Sequence, residues 1–383
     1  MEKLLFISND SKPSADKYNY IGEEVLTNFS IPIIKACQKI GISVTVGINR
    51  KNATKMTCKY PVNFYNAQIY RNPFNLKEVY NAYKNACQEL KKGDYVAIHC
   101  NTPIGGVVGR LAGKKCGIKT IIYTAHGFHF YNGAPLINWL LYYPIERWLA
   151  HYTDVLITIN QEDYQRAKSF KYRNQGKAYY VPGVGIDISE FSSIERNREE
   201  VLREFEISDD SVVIISAGDL NKNKNNKVIV KAMNILNNEK IHYLICGEGK
   251  LRTELENEVK KYGLEKKVHF LGYRTDIKRL MGASDIFVMP SFREGLSRSL
   301  MEAMATGLPC VASRIRGNID LIESSEYLCD PLDCKAFASA IGKLAESDEL
   351  RNRIGAMNNQ RVHVFSTEIV ENEILHLYEE LFN

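Results

Sequence analysis

Apolar residues run along this chain in short blocks, separated by longer stretches in which they recur every three or four positions. The blocks Lys3–Ser8, Ser43–Ile48, Tyr95–His99, Thr120–Thr124, Asp154–Asn160 and Ala178–Val181 are too short for buried helices. Bounded by turn-forming residues, they predict buried strands. A polar loop follows the first block, to about Asn19. Val25–Ile40 then sets Phe29, Ile33, Ile34 and Ala36 at helical spacing and stops at Gly41, and Leu76–Lys91 predicts a second helix. Residues 49–75 are polar, aromatic and poorly periodic, which predicts a loop with one short strand. A second run of the same kind places strands at Val212–Ala217, Ile241–Cys246, Val268–Leu271, Asp285–Pro290 and Pro309–Ser313. Helices are expected over 250–262 and from Ala336 to the end. The turn-rich, charged stretch 183–210 reads as a linker between the runs. Strands alternating with helices in two successive runs imply two doubly wound α/β domains.

The stretch DIFVMPSFREGLSRSLMEAMATGLPCVAS, residues 285–313, forms one strand–loop–helix–strand unit. Ser297 is the expected N-cap, Gly307 the helix stop, and Pro309 bars continuation. A helix N-terminus offers unpaired N–H groups and the positive end of the dipole, a seat for a diphosphate. Glu294, before the helix, and Glu302, within it, then stand on either side of that seat, able to accept from sugar hydroxyls. Spacing alone leaves open two solvated glutamates on an ordinary helix.

Other candidates lie just past strand ends, where open α/β sheets keep their ligand sites. In GDLNKNKNNK the ammonium of Lys224 can sit on a phosphate as a point charge, with Lys222 and Lys227 sharing the load. Asp219 would repel a diphosphate unless it turned away or paired with a lysine. Gly247, Gly249 and Gly272 sit on one expected rim, where simple turns explain them nearly as well. His126 follows the strand Thr120–Thr124, although a lone histidine is more often structural, as His129 is expected to be. In CNTPIGGVVGRLAGKKCG, Thr102 can cap a helix beginning at Pro103. Its glycines Gly105, Gly106 and Gly109 fit a tight helix–strand contact better than a ligand.

Length adds a constraint: 383 residues exceed one ordinary core. Nine scattered cysteines without a C-x-x-C pair point to a reduced, cytoplasmic protein without structural zinc. The first residues begin a strand rather than a signal peptide, and no run reaches the roughly 18 apolar residues that span a bilayer. Charge is uneven. Residues 1–185 carry 24 Lys and Arg against 12 Asp and Glu, and the remainder carries 26 against 33. A basic first half suits an anionic partner such as a membrane surface, a lipid diphosphate or nucleic acid, or is simply a solvated face. Segment 127–152 is the most aromatic, and Trp139, Leu140, Tyr143, Trp148 and Leu149 with Arg147 and His151 fit either an interfacial surface or a buried helix pair split by Pro144. There is no Walker-type phosphate loop, helix-turn-helix, zinc-finger pattern or D-x-D carboxylate pair.

Taken whole, 285–313 resembles the signature of retaining glycosyltransferases of family 4, in which two glutamates are separated by seven residues; here these are Glu294 and Glu302. Thr-Ala-His-Gly at His126 and the partial match Gly218, Leu220, Lys224 extend the resemblance over nearly the whole chain. Asp219 stands where the family has arginine, and the family's paired glycines after the first strand are missing. Segment 127–152 resembles the equivalent stretch of bacterial exopolysaccharide and capsule enzymes, which act on lipid-linked acceptors at the inner face of the membrane.

The resemblance implies a GT-B fold, with two Rossmann-like domains facing across a cleft. Residues 1–185 would form the acceptor-side domain and 186–364 the nucleotide-sugar domain, with a last helix in 365–383 crossing back to the first. It implies that Glu302 binds the nucleotide ribose, that Glu294 and His126 contact the transferred sugar, and that Lys224 and the backbone around Gly295, Leu296 and Ser297 hold the diphosphate, with help from Arg298 if it turns inward. The Gly272–Tyr273–Arg274 loop would bind the base, and Gly218 and Gly247 would also belong to the donor site. No cofactor is implied. The donor is a UDP-sugar, the transferred group a hexose or N-acetylhexosamine, and the acceptor a lipid-linked saccharide, handled by a cytoplasmic protein in peripheral contact with the membrane. A sugar-nucleotide 2-epimerase of the same architecture is the alternative, and nucleic-acid binding is disfavoured.

Overall fold

The computed structural model describes residues 2–8, 26–27, 29–50, 53–55, 58–70, 72, 74–192 and 197–382. Two compact units divide the chain: Met1–Gly185 with Glu368–Asn383, and Ile186–Thr367.

In the first unit the elements run β1 (Lys3–Ile7), α1 (Ile31–Lys39), β2 (Ser43–Ile48), β3 (Val62–Asn66), α2 (Leu76–Leu90), β4 (Tyr95–Asn101), α3 (Pro103–Lys115), β5 (Thr120–Ala125), α4 (Leu136–Ala150), β6 (Val155–Thr158), α5 (Gln161–Ala167) and β7 (Lys177–Tyr180). The strands form one parallel sheet in the order β3-β2-β1-β4-β5-β6-β7. Side-chain alternation divides its core between two faces. Leu5, Ile7, Ile98, Cys100, Ile121 and Tyr123 pack on one side, and Leu4, Phe6, Ala97 and Ile122 on the other.

Several boundaries differ from the sequence pattern. The polar loop to Asn19 and the expected helix start at Val25 lie outside the described residues. Helix α1 begins only at Ile31, because Pro32 fits the first turn, where an N–H has no partner anyway. A turn precedes it in which Ser30 Oγ accepts from Thr27 N (2.9 Å), so Phe29 is not on the helix. Residues 127–152 contain one helix rather than two, with Pro144 inside α4. The carbonyl deprived of its donor there is that of Leu140, an exposed residue, and water can satisfy it.

The second unit begins where a linker was expected. Instead α6 (Ser189–Ser192) and α7 (Arg198–Glu204) form, and Val201 and Leu202 are buried in the core. Next come β8 (Val212–Ala217), α8 (Asn226–Leu236), β9 (Ile241–Cys246), α9 (Arg252–Lys261), β10 (Val268–Gly272), α10 (Ile277–Ala283), β11 (Ile286–Met289), α11 (Arg298–Ala305), β12 (Cys310–Ser313), α12 (Asn318–Leu321), β13 (Leu328–Cys329), α13 (Cys334–Ala345) and α14 (Asp348–Val362). Again the sheet is parallel, ordered β10-β9-β8-β11-β12-β13.

Phe365 still belongs to this second core, and Ile186 N donates to its carbonyl (3.1 Å). The chain then leaves as α15 (Thr367–Phe382), whose Val370, Ile374, Leu377 and Tyr378 complete the α1 face of the first unit. Lys35 and Lys177 of that unit pair with Glu371 (2.5 Å) and Glu380 (2.8 Å). Among the described residues no helix is long and apolar enough to cross a membrane.

Candidate active site

Strand order reverses direction between β8 and β11, which are neighbours in the second sheet. Connections leave the pair towards opposite edges, and the loops beyond their C-terminal ends bound a crevice of the kind that holds ligands in open α/β sheets. These loops are 218–225 and 290–297, and they are fastened together. Phe292 N donates to Asn223 O (2.8 Å), Asn223 Nδ2 to Arg293 O (2.9 Å) and Asn225 Nδ2 to Pro290 O (3.1 Å).

Across this seam Lys224 Nζ donates to Glu294 Oε1 at 2.9 Å. Both side chains are largely withdrawn from water, at 22% and 15% exposure. Gly218 passes close to the lysine: a Cβ there would lie 3.0 Å from Lys224 Cε. Buried Arg316 donates through Nε to the Glu294 carbonyl (3.2 Å). Beside it Gly317, at φ +82°, lets the backbone approach so closely that a Cβ would meet Gly295 O at 2.4 Å. The loop carrying Glu294, Gly295 and Leu296 is thus held from both sides.

Ser297 caps α11, its Oγ accepting from Leu300 N (3.4 Å), so the earlier first-turn N–H groups have no intrahelical partner. Arg298 does not turn inward. It is 58% exposed and donates through Nε to Glu302 Oε1 (2.9 Å), which leaves Oε2 of that carboxylate for another donor. Burial raises the Glu302 carboxyl above its ordinary value, with Arg298 opposing the shift.

Neighbouring charges are less available than the sequence suggested. Lys227 is engaged by Glu254 (3.2 Å) and Glu258 (3.4 Å) across α8 and α9, so it is not shared with a phosphate. Lys222 stays exposed, beside a hollow of about 220 Å³ that Leu220, Asn221 and Phe292 also line. Asp219 makes no side-chain hydrogen bond or ion pair to a described residue, so no lysine neutralises it. Gly247 N donates to Gly272 O (2.8 Å), and Cβ atoms on Gly247 and Gly249 would strike Gly218 O (2.0 Å) and Leu220 O (2.3 Å). These glycines therefore seat the Gly218 turn on the loops after β9 and β10. Tyr273 is 77% exposed on that rim, whereas Arg274 is held by Asp276 (2.7 Å) and Glu204 (3.1 Å).

In the first unit His126 lies one residue beyond β5, half-buried, its ring 4.1 Å from that of Phe29 in an edge-on contact. Its Nε2 bonds to Asn101 Oδ1, which also accepts from Thr102 N (3.0 Å). An oxygen acceptor there requires the proton on Nε2 and leaves Nδ1 as a lone-pair acceptor. Nδ1 is buried and has no partner among the described residues, in a hollow of about 30 Å³ shared with Phe29, Asn101 and Thr124. Burial lowers the His126 pKa to about 3, so the ring is neutral near pH 7.

His129 is structural, its ring against Tyr142 and its carbonyl accepting from Asn138. Thr102 does not cap α3, because its φ of +66° turns the side chain back to the Asn101 carbonyl. Cβ atoms on Gly106 and Gly109 would strike Tyr123 (2.4 Å) and Cys100 (2.3 Å), so the glycines serve helix–strand packing. Sequence reasoning missed Asn101, Asn223, Asn225 and Arg316, polar residues whose partners are distant in the chain and carry no motif.

Comparison with known proteins adds an independent finding. Residues 197–361 match the family model "Glycosyl transferases group 1", and residues 22–160 match "Glycosyl transferase 4-like". The chain is 34% identical over 358 residues to EpsD of Bacillus subtilis (strain 168), named a glycosyltransferase, covering 91% of this chain and 92% of that one. It is 29% identical over 284 residues to an Escherichia coli UDP-Gal:alpha-D-GlcNAc-diphosphoundecaprenol alpha-1,3-galactosyltransferase, covering 72% and 73%. Among solved structures, Anabaena Alr3699/HepE in complex with UDP and glucose superposes with a TM-score of 0.73 at 20% identity, covering 99% of both chains. Sucrose-phosphate synthase from Thermosynechococcus elongatus gives a TM-score of 0.77 at 19% identity, covering 100% of this chain and 99% of that one.

Proposed function

The chain belongs to the group 1, family-4-like glycosyltransferases and has the GT-B fold, and on that premise we propose that it moves a hexose or N-acetylhexosamine from a UDP-sugar to a lipid-linked saccharide, with retention and without a metal. The observation that carries the reading is the Lys224–Glu294 pair at the β8/β11 reversal, beside the capped start of α11, with Glu302 one turn further on.

Each group has a distinct task. Cleaving the bond between the anomeric carbon and UDP leaves charge on the diphosphate, which Lys224 and the first-turn N–H groups of α11 neutralise. Glu302 Oε2 accepts from the ribose, and Glu294 accepts from a hydroxyl of the transferred sugar. The acceptor oxygen attacks on the face that the diphosphate leaves, and its proton passes to the departing phosphate oxygen. Double displacement would need a carboxylate beside the anomeric carbon, and the sequence marks none. In the first unit the neutral ring of His126 is the group proposed to contact the sugar.

Two names support the choice of substrates. The Escherichia coli relative is named for a UDP-galactose donor and a diphosphoundecaprenol-linked acceptor. The structural neighbour from Anabaena was solved with UDP and glucose.

Calorimetric titration of UDP, GDP and ADP, and then of UDP-sugars, into wild type and Glu302→Ala tests the proposal. Selective UDP binding, weakened in the variant by about 1.5–3 kcal/mol as for a charged hydrogen bond, is the expected result. Binding of GDP or ADP alone would overturn the donor, and no nucleotide binding by folded protein would overturn the site.

A further inference from the structure

Five of the nine cysteines are buried inside the two units. Cys87 and Cys116 are not, and the fold brings them together. Cys87 lies in the last turn of α2, and Cys116 caps the end of α3. Both are half-buried against the first unit's core. The Cys116 thiol reaches the Cys87 carbonyl at 3.8 Å and also hydrogen-bonds with the Cys87 thiol. The hydroxyl of Tyr83, one turn back on α2, bonds to the same Cys87 sulfur. This cluster lies outside the groups assigned to sugar transfer.

Its surroundings decide what it can do. Burial and the neighbouring Cys87 hold the Cys116 thiol above its ordinary value, while Lys91 and Lys115 pull the other way. Both cysteines stand at helix C-terminal ends, where the dipole also opposes an anion. The pair is therefore accessible but slow to ionise, a dithiol that answers to sustained oxidant rather than a hyper-reactive nucleophile. Two sulfurs and a phenol are too few ligands for a closed tetrahedral metal centre, and no metal-binding group of three gathers among the described residues.

We propose that Cys87 and Cys116 are a reversible modification site, forming a disulfide that staples the C-terminal ends of α2 and α3 when a low-molecular-weight disulfide, RSSR, accumulates. One cysteine loses its proton, and its thiolate attacks a sulfur of RSSR. A protein S–SR bond forms, the RS–SR bond breaks, and RS⁻ leaves with the electron pair. The second cysteine, deprotonated in turn, attacks the protein sulfur of that mixed disulfide, closes the Cys87–Cys116 bond and expels the other RS⁻. The two protons released by the cysteines end on the two RS⁻ groups. The protein is oxidised by two electrons, and RSSR is reduced to two RSH. Excess RSH runs both steps backwards. The staple would sit beside the groove between α2 and α3 that Tyr83 and Lys115 help to line, and it would close a covalent loop around β4 and α3.

The experiment equilibrates the full chain with glutathione and glutathione disulfide over a series of ratios at mildly alkaline pH. Samples are quenched with acid, alkylated and digested with trypsin without reduction. Wild type should yield residues 85–91 joined to residues 116–119, lighter by two hydrogens than the separate peptides, and excess glutathione should remove the link. Cys116→Ser should instead retain glutathione on Cys87, and Cys87→Ser should retain it on Cys116, because the resolving thiol is gone. Oxidised wild type should melt at a higher temperature than reduced wild type, since the loop restricts the unfolded chain. Cys87→Ser with Cys116→Ser should show no such rise. UDP titration of each variant should match wild type, which separates a lost bridge from lost folding. Glutathione persisting on both cysteines of wild type without the link would overturn the proposal, as would a preferred link to any other cysteine. Equal yields of the link in native buffer and in urea would overturn it too, since the fold would then contribute no proximity. A linked protein that melts no higher than the reduced one would overturn the staple.

Discussion

Replacing Lys224 by methionine separates a catalytic pair from a merely structural one. The ammonium lies 2.9 Å from Glu294 Oε1, and the two side chains keep 22% and 15% of their exposure. Methionine preserves the length of the side chain and removes its charge, leaving a carboxylate in a mostly dry site. That should cost about 1–3 kcal/mol of stability, the usual penalty for an abandoned buried partner. If Lys224 also neutralises the diphosphate, UDP affinity should fall by about 1.5–3 kcal/mol, roughly ten- to 150-fold. Uridine has no diphosphate, and its affinity should not change.

Glu294→Gln provides the opposite perturbation. The amide oxygen can still accept from Lys224, but the ammonium is no longer neutralised. UDP should therefore bind as well as to wild type or more tightly, while sugar transfer falls. Calorimetry with UDP and uridine, alongside urea unfolding, measures every term. Equal UDP affinity in wild type and folded Lys224→Met, with only stability changed, would refute the assignment of the diphosphate to this lysine.

Further expectations concern the scaffold and the site's charge. Tyr378→Phe removes the partner of His99 Nδ1 (2.7 Å) inside the first unit and should cost about 1–3 kcal/mol in urea unfolding. His99 is fully buried with its pKa lowered to about 3, so the unfolded chain binds the extra proton between there and about 6.5. Stability present above pH 6.5 should thus fall on acidification, by about 2 kcal/mol at pH 5 from this residue, and unfolding of His99→Gln should be less steep in pH. Gly317→Ala, with φ +82° and a Cβ 2.4 Å from Gly295 O, should cost about 1–3 kcal/mol and weaken UDP binding, read by melting and calorimetry. Asp219→Arg should tighten UDP binding several-fold at low salt, and EDTA should leave wild-type binding unchanged; loss of binding in EDTA would contradict a metal-free site.

Much of this was legible because the sheet cores are buried on both faces. Ser43–Ile48, Val212–Ala217 and Ile241–Cys246 read as strands from apolar runs alone and have those limits in the structure. Local chemistry also served where it was strong: Ser297 at the N-cap of α11 and Gly307 beyond its end needed no tertiary information. Reading failed where distant packing decides. Pro144 predicted a break, yet its helix continues because inner residues of α4 anchor both halves to the core. The stretch 183–210 looked like a linker because its two helices are short, and what fixes them is tertiary: Phe191 of α6 and Val201 and Leu202 of α7 are buried in the second core.

The site shows the same limit more sharply. The sequence marks Glu294 and Lys224 separately, 70 residues apart, and no periodicity joins them. What brings them together is the β8–β11 pairing, secured by Asn223 and Asn225 reaching across to the carbonyls of the facing loop. This has an electrostatic consequence. In loops 218–225 and 290–297 and the first turns of α11, Lys222, Lys224, Arg293 and Arg298 face Asp219, Glu294 and Glu302, four cations against three anions. Glu294 already takes up Lys224, and Glu302 takes up Arg298. In the proposed site a diphosphate takes Lys224 from Glu294, leaves the Glu302–Arg298 pair in place, and draws further attraction from the backbone dipole of α11. In that proposal Glu294 reclaims Lys224 as the nucleotide departs, which favours release after transfer.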